Sequence, residues 1–111
     1  MKRSHRLLKD ADFQTILAKK TNQKNVAFTI YGLKQSLGHT RVGISVSKKI
    51  GIAVIRNKIR RQIRMMLTTK MDLTESIDYI VIVRAPYLEK GFIENQDALI
   101  QTIASLRRKL V

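Results

Sequence analysis

The sequence predicts an α+β fold in which helices pack on one face of a small sheet and form a single sandwich-like domain of 111 residues. Three observations predict this fold. Residues 26–33 and 40–47 alternate apolar and polar side chains, which is typical of half-buried strands. Residues 53–69 and 92–110 repeat apolar side chains at helical spacing. Between these two helices, residues 80–83 are continuously apolar and β-branched, as in a strand that is buried on both faces.

The first quarter of the chain is predicted to contain one helix and one ambiguous segment. Residues 1–8 are basic, and we expect them to form a mobile tail. Asp10 is a suitable N-cap for a short helix that runs to about Lys20. The apolar stripe of this helix consists of Phe13, Ile16 and Leu17. Residues 21–25 form a turn or a short edge strand, and as a strand they complete the order α-β-β-β-α-β-α.

The two alternating strands are expected to be joined as a hairpin, because the polar stretch 34–39 between them contains Gly38. In the first strand, the side chains that point one way are Val26, Phe28 and Ile30, and those that point the other way are Ala27, Thr29, Tyr31 and Leu33. In the second strand, the residues expected to face the core are Val42, Ile44 and Val46, and those on the opposite face are Gly43, Ser45 and Ser47. This opposite face, together with Tyr31, is a polar and partly aromatic surface that a nucleic-acid backbone can approach closely.

The helix predicted over 53–69 separates apolar from basic side chains. Successive residues placed 100° apart put one stripe at Ile55, Ile59, Ile63 and Met66. The opposite face carries Asn57, Arg60, Arg61 and Arg64, with Arg56 and Lys58 on its flanks. Like charges repel along this face, because arginines recur at four-residue spacing without a carboxylate between them. A merely solvated helix usually mixes charges of both signs, so this pattern favours binding to an external polyanion.

The last third of the chain is predicted to form a buried strand and a helix. The strand covers 77–84, and a loop over 85–91 contains the only proline, Pro86. The final helix turns a stripe inward that consists of Leu99, Ile103, Leu106 and Leu110. Its last turn is basic. Positive charges are favourable at the negative end of a helix, so these residues need no further function to explain them.

Almost all of the net charge of +14 lies in the middle of the chain. Residues 13–71 contain thirteen Lys or Arg and no Asp or Glu, whereas residues 72–111 carry a net charge of −1. This asymmetry favours nucleic acid as the partner, with an anionic membrane surface second. The sequence has no apolar run of membrane-spanning length and no signal peptide, so we expect a cytoplasmic protein without a membrane partner.

The residues do not suggest a catalytic centre. Cysteine is absent, which excludes disulfides, thiol nucleophiles and Cys-based metal sites. His5 and His39 have no carboxylate close in sequence, and Ser45 and Ser47 have no neighbouring His or Asp. The phosphate-binding pattern GxxxxGK[ST] is missing, and the acids lie away from the basic centre, where two-metal chemistry would need them. We therefore expect a binding protein with no catalytic residues and no metal site of its own.

The stretch 41–64 reads RVGISVSKKIGIAVIRNKIRRQIR and resembles the signature of the bacterial ribonuclease P protein subunit. The matching positions are Arg41, Val42, Gly43, Ser45, Val46, Ser47, Lys48, Lys49, Gly51, Ala53, Val54, Arg56, Asn57, Arg61 and Arg64. Two further positions keep the charge but not the residue: Lys58 stands where the family has Arg, and Arg60 stands where it usually has Lys. The resemblance extends to Arg6-Leu7, Asp12-Phe13, residues 28–31 and Asp78-Tyr79-Ile80, and so to nearly the whole chain. Leu17 stands where family members often have a second aromatic residue.

The resemblance implies a specific function. The family's protein assists a catalytic RNA that uses magnesium ions to remove the 5′ leader from precursor tRNA, and the protein alone is not catalytic. It implies one protein subunit per catalytic RNA. It also implies a fold similar to a domain of ribosomal proteins, with a left-handed β-α-β crossover, although right-handed crossovers are the general rule.

The resemblance also implies two sets of site residues. Those expected to contact the catalytic RNA are Lys48, Arg56, Asn57, Lys58, Arg60, Arg61 and Arg64. Those expected to hold the precursor tRNA leader are Phe13, Thr29, Tyr31, Ser45 and Lys49.

Other functions remain open at the level of the residues. A ribosomal or general structured-RNA-binding protein shares the charge pattern and the fold class. A DNA-binding regulator is less favoured, because nothing resembles a helix-turn-helix. A membrane-surface helix is less favoured because a globular core needs the apolar stripe of residues 55–66. A free-standing nuclease lacks carboxylates beside its polyanion.

Overall fold

A computed structural model describes all residues 1–111 and contains one four-stranded sheet and three α-helices. The helices are α1 (Asp10–Lys19), α2 (Ala53–Lys70) and α3 (Phe92–Leu110). The strands are β1 (Asn22–Lys24), β2 (Phe28–Lys34), β3 (Arg41–Ser45) and β4 (Ile77–Val83). Short 3-10 turns cover Arg3–His5 and Ala85–Glu89. The predicted α+β class and the order α-β-β-β-α-β-α are confirmed, and the ambiguous segment is a strand.

The order of strands in the sheet differs from the predicted hairpin. The spatial order is β1-β2-β4-β3, so β4 lies between the two alternating strands and separates them. It pairs antiparallel with β2 and parallel with β3. The hairpin that does form joins β1 to β2, with Asn22 opposite Tyr31. The hairpin prediction was wrong because the most apolar strand takes the centre of the sheet, where both of its edges and both of its faces are covered.

The unit β3-α2-β4 connects two parallel neighbours and is therefore the β-α-β crossover of the fold. The left-handed sense of this crossover remains an expectation from the family resemblance. The crossover places α2 directly after the exposed turn at Lys48 and Lys49, so the basic loop and the basic helix are continuous.

Helices cover both faces of the sheet. The larger core lies between the sheet and the pair α2 and α3, and its members include Phe28, Ile30, Ile59, Ile63, Met66, Tyr79, Val81, Leu99 and Leu106. The other face carries α1, whose buried Ile16 packs with Leu7 and Ile80. The expectation that all helices share one face was therefore wrong for α1. The cause lies in β4, which is apolar on both sides and needs cover on both.

Two apolar residues predicted to join a buried face lie at its margin. Val26 was expected to share a face with Phe28, but it precedes β2 and is 59% exposed. The turn there is held by Asn25, whose Oδ1 accepts hydrogen bonds from the backbone N–H groups of Ala27 and Phe28, each at 2.8 Å. Ile55 lies in the first turn of α2 and is 39% exposed.

Residues 1–8 were expected to be a mobile tail, but the structure packs residues 3–7 against the sheet. Arg6 forms a parallel bridge with Val42, and Leu7 donates its backbone N–H to the Val42 carbonyl at 3.0 Å. The Leu7 side chain is buried. His5 Nδ1 lies 2.7 Å from the Thr40 carbonyl oxygen, with which it forms a hydrogen bond. The segment therefore covers the free edge of β3, which would otherwise expose unpaired backbone groups.

A charged network joins α1 to the sheet beneath it. Arg41 on β3 donates two hydrogen bonds to Asp78 on β4, from Nε at 2.9 Å and from Nη2 at 2.6 Å. Its remaining nitrogen, Nη1, reaches Asp12 of α1 at 3.3 Å. These bonds, above all those to Asp78, raise the pKa of Arg41 above its usual value. The buried carboxylate of Asp78 also accepts a hydrogen bond from Gln35 at 3.2 Å, so it has partners on β3 and in the segment that follows β2.

Gly43 on β3 lets α1 lie close to the sheet. A Cβ atom built at Gly43 would lie 2.9 Å from Cε1 and 3.0 Å from Cε2 of Phe13, and closer still to Cζ. The ring of Phe13 therefore occupies the space that a side chain at position 43 would need. This contact requires glycine at position 43. In a strand without such a contact, glycine would be unfavourable because it weakens the strand.

We expect Gly43→Ala to destabilise the protein by about 1–3 kcal/mol, the usual cost of overpacking a fitted contact. Guanidinium unfolding monitored by circular dichroism measures this loss. The control is the same substitution in a Phe13→Ala background, where the ring is gone and the added methyl group should cost less than about 0.5 kcal/mol. Equal costs in both backgrounds would show that Phe13 does not determine the need for glycine.

Candidate nucleic-acid interface

The outward side of α2 forms an open basic surface, which we call the basic face and define as Asn57, Arg60, Arg61 and Arg64. These four side chains and Val54 line an open depression of about 520 Å³. The opposite side of the helix buries Ile59 and Ile63 in the main core. This burial fixes the rotation of α2, so the basic face is held outward by packing.

The charges of α2 have no carboxylate partner within the chain. Every salt bridge of the protein lies elsewhere: Arg41 with Asp12 and Asp78, Lys90 with Glu94, and Arg107 with Glu75. The α2 arginines that bond within the chain use neutral acceptors, namely Arg60 to Asn57 Oδ1 at 2.9 Å and Arg56 to the Gly51 carbonyl at 3.1 Å. A row of unneutralised arginines is suited to phosphate oxygens.

Arg64 shows the electrostatic cost of this arrangement. Its pKa is lowered, first because the guanidinium is partly buried and then because the charges of Arg6 and Arg60 lie nearby. Arg6 also joins Arg61 and Arg64 around a second open depression of about 410 Å³ beside the basic face. Sequence reasoning missed Arg6, because it assigned residues 1–8 to a tail. The one available signal was Leu7, an apolar residue that could anchor the segment.

The structure divides the other expected RNA-contact residues between neighbouring surfaces. Lys48 is exposed in the turn before α2, and Arg56 is half-buried against that turn. Lys58 lies on the flank of α2 that faces the start of α3, where it lines a separate pocket with Gln62 and Tyr87. The expected set is therefore continuous along α2 but does not form one cavity.

A second surface lies on the α1 side of the sheet, and we call it the sheet cleft. The strand register places Thr29, Ile82 and Ser45 side by side on β2, β4 and β3. The next row toward α1 consists of Tyr31, Ile80 and Gly43 in the same order. Strands lie about 4.8 Å apart, so Thr29 and Ser45 are separated by about 10 Å.

The two rows of the sheet cleft differ in how far their side chains are buried. The row of Tyr31 lies beneath α1, where Tyr31 and Phe13 pack on the small cluster around Ile80. In the next row, Ser45 is exposed and Thr29 and Ile82 are half-buried. The result is a strip that crosses three strands, with aromatic groups at one side and hydroxyl groups at the other. These are the features of a surface that binds a single nucleic-acid strand.

The structure brings together four of the five expected leader residues, namely Phe13, Thr29, Tyr31 and Ser45. The fifth, Lys49, lies in the exposed turn after β3, beyond the end of the strand rows. Ile82 is part of the cleft but was not predicted. Its strand is apolar at every position from 79 to 83, so the sequence carries no alternation that would assign Ile82 to a face.

No group of three or more His, Cys, Asp or Glu side chains is placed to hold a metal ion. The carboxylates of Asp12 on α1 and Asp78 on β4 are both engaged by Arg41. No helix combines the length and the apolar character needed to cross a lipid bilayer.

Comparison with known proteins gives one consistent family. The family model described as Ribonuclease P matches residues 1–107. The chain is 42% identical over 101 residues to the ribonuclease P protein component of Mesoplasma florum, covering 89% of this chain and 92% of that protein. The similarity to the Streptococcus agalactiae protein of the same name is 45% identity over 84 residues, covering 76% of this chain and 77% of that protein.

Solved structures show the same similarity. The Staphylococcus aureus RNase P protein superposes with a TM-score of 0.83 at 38% identity, covering 90% of this chain and 93% of that one. The RNase P protein of Thermotoga maritima superposes with a TM-score of 0.77 at 25% identity, covering 86% of this chain and 92% of that one.

Proposed function

Because the chain belongs to the family of ribonuclease P protein components, which act in tRNA processing within an endoribonuclease complex, we propose that it binds the catalytic RNA of that complex and the 5′ leader of precursor tRNA. In this proposal the RNA subunit cleaves the leader with magnesium ions and leaves the mature 5′ end of the tRNA. The protein contributes binding surfaces and no catalytic residue. It acts in the cytoplasm with one protein per catalytic RNA.

The observation that carries the proposal is the unneutralised charge of α2. The basic face is fixed outward by the core, and no salt bridge of the chain involves a cation of α2. Phosphates of a folded RNA supply the missing negative charge and remove the repulsion between Arg60 and Arg64. Lys48, Arg56 and Lys58 extend this contact along the helix and its preceding turn.

The sheet cleft is assigned to the leader. A leader is single-stranded, and single strands are bound by stacking on aromatic rings and by contacts to the backbone. Tyr31 and Phe13 supply the aromatic groups, whereas Thr29 and Ser45 supply hydroxyl groups within a strip of about 10 Å. Lys49 lies after β3, where it can meet a phosphate of the same strand.

In this proposal, magnesium ions are bound by the RNA subunit and by the precursor tRNA. The acids of the chain are a poor set of ligands, because Asp12 and Asp78 share Arg41 and Glu75 is held by Arg107 at 2.7 Å. Hard cations require several free oxygen ligands, and RNA phosphates provide them.

Reconstitution tests the function directly. Purified protein added to a bacterial ribonuclease P RNA at near-physiological magnesium should restore cleavage of the 5′ leader from precursor tRNA, because the cations of α2 offset repulsion between the RNAs. Protein alone is the control and should cleave nothing. RNA binding without any gain in leader removal would instead identify a general structured-RNA-binding protein.

The basic face predicts a specific salt dependence. Arg60→Ala combined with Arg64→Ala should weaken binding to the catalytic RNA and reduce the slope of log affinity against log salt by roughly two phosphate contacts. The matched control replaces two exposed arginines outside α2, Arg84 and Arg108, by Ala. A slope unchanged by the α2 substitutions, or reduced equally by the control pair, would mean that this face does not contact RNA.

The assignment of the sheet cleft to the leader predicts that a substitution there affects the binding of precursor tRNA but not that of mature tRNA. Tyr31→Ala should weaken binding of precursor tRNA to the reconstituted complex by about 1–3 kcal/mol, the value of one base stacked on an aromatic ring. Binding of mature tRNA, which has no leader, should be nearly unchanged. Tyr31→Phe keeps the ring and should retain most of the affinity. Equal losses for both tRNAs would remove Tyr31 from the leader site.

A further inference from the structure

A pocket of about 310 Å³ lies on the flank of α2 that faces the start of α3. It opens between the first half of α2, the 3-10 turn Ala85–Glu89 and the first turn of α3. Its floor contains Tyr87 and Asn95, which are 3% and 1% exposed. This pocket takes no part in the leader site described above, and it shares only Lys58 with the expected RNA contacts.

Tyr87 gives the pocket a rigid aromatic floor. Its ring packs edge to face on Phe28 of the core, with centroids 5.7 Å apart and planes at 77°. Its hydroxyl group donates a hydrogen bond to Gln62 Oε1 at 2.8 Å. Burial raises the pKa of Tyr87 to about 12, so the hydroxyl stays protonated and keeps this bond.

Asn95 leaves an acceptor unused in this floor. Its Nδ2 donates to the carbonyl oxygens of Tyr87 at 3.0 Å and Lys90 at 3.4 Å, which fixes the orientation of the amide. Its Oδ1 is buried and accepts no hydrogen bond within the chain. A buried acceptor without a donor is unfavourable, and a ligand that supplies an N–H group removes this cost.

Gln62 adds an unused donor beside this acceptor. Its Oε1 is occupied by the hydroxyl of Tyr87, so its amide nitrogen is the group left for a ligand. No acceptor of the chain bonds that nitrogen. The pocket therefore offers one donor and one acceptor to the edge of a bound molecule.

The mouth of the pocket combines apolar side chains on its walls with two positively charged lysines. Leu88 and Ile55 are 52% and 39% exposed at its walls. Lys58 has no carboxylate partner, and Lys90 has only a long contact of 3.9 Å with exposed Glu94. Lys58 also follows Asn57 directly, so the mouth is continuous with the basic face.

We propose that this pocket receives the base of one unpaired nucleotide of the catalytic RNA. The flat faces of the base contact Leu88 and Ile55 over the floor of Tyr87. Its edge accepts from the amide of Gln62 and, once the floor shifts to uncover the enclosed Asn95 Oδ1, donates to that atom, while Lys58 and Lys90 meet the adjoining phosphate. The proposal rests on the function proposed above, because the occupant comes from the same RNA that contacts the basic face.

A nucleobase fits these features better than a protein side chain does. Every base carries donors and acceptors on one edge, two apolar faces and an attached phosphate. An apolar side chain of a protein partner would leave Asn95 Oδ1 unsatisfied and would give the two lysines no charge to bind.

A pair of charge-matched variants tests the proposal in the reconstituted complex. Leu88→Glu places a carboxylate at the mouth of the pocket, whereas Ile93→Glu makes the same change at a 63% exposed position of α3 that does not line it. Both residues are exposed, so both variants should fold. We expect Leu88→Glu to weaken binding to the catalytic RNA about tenfold more than Ile93→Glu does, the scale of one lost base contact.

A titration of the wild-type protein gives an independent result. Adenosine, guanosine, cytidine and uridine 5′-monophosphates are added in turn while the side-chain amide resonances of Asn95 and Gln62 are followed by NMR. At least one nucleotide should shift both resonances, and ribose 5-phosphate, which has no base, should shift neither.

The outcomes separate this proposal from the proposed function. Wild-type protein that does not bind the catalytic RNA would overturn both. Normal RNA binding, with equal effects of the two Glu variants and no shift by any nucleotide, would overturn the base pocket alone. Shifts caused by an apolar peptide and by no nucleotide would assign the pocket to a protein partner instead.

Discussion

The two-sided pairing of β4 is the constraint on which the structure depends. This strand pairs with β2 along one edge and with β3 along the other, and its side chains are covered on both faces. The pairing brings Thr29 and Ser45 into one row, although they lie on strands that are not neighbours. It also forces the chain to return from β3 through α2, which places the basic helix over the opposite face of the sheet. One strand thus fixes where both candidate surfaces lie.

The acidic residues are distributed so that they stabilise the fold without neutralising α2. Asp12 and Asp78 join α1 and β4 to Arg41, and Glu75 joins the turn before β4 to Arg107 on α3. None of these carboxylates pairs with a cation of α2. The fold therefore retains a helix with unpaired like charges, and the pKa of Arg64 is lowered first by its partial burial and then by the charges of Arg6 and Arg60. Stability comes from the apolar side of α2, and the basic side is left to an external partner.

The sequence predicts those features that depend on neighbouring residues along the chain. Helical spacing assigned Ile59 and Arg60 to opposite sides of α2, and alternation placed Thr29 and Tyr31 on one face of β2. Family resemblance added their roles, which spacing alone does not contain. The position of β4 was not predictable in this way, because strand order is decided by packing between distant segments. The same limit applies to Ile82 and Arg6, each of which is placed by contact with a distant segment.

The N-terminal segment links the two surfaces mechanically. It runs along the free edge of β3 through the bridge between Arg6 and Val42, and neighbouring residues of an extended chain point to opposite sides. Leu7 packs toward α1 with Ile16, while Arg6 lies beside Arg64 on the α2 side. A phosphate held by Arg6 and Arg64 is therefore connected through one peptide unit to the cluster that supports Phe13. In the proposed function, this segment and the Arg41 network therefore join the surface that meets the catalytic RNA to the surface that meets the leader.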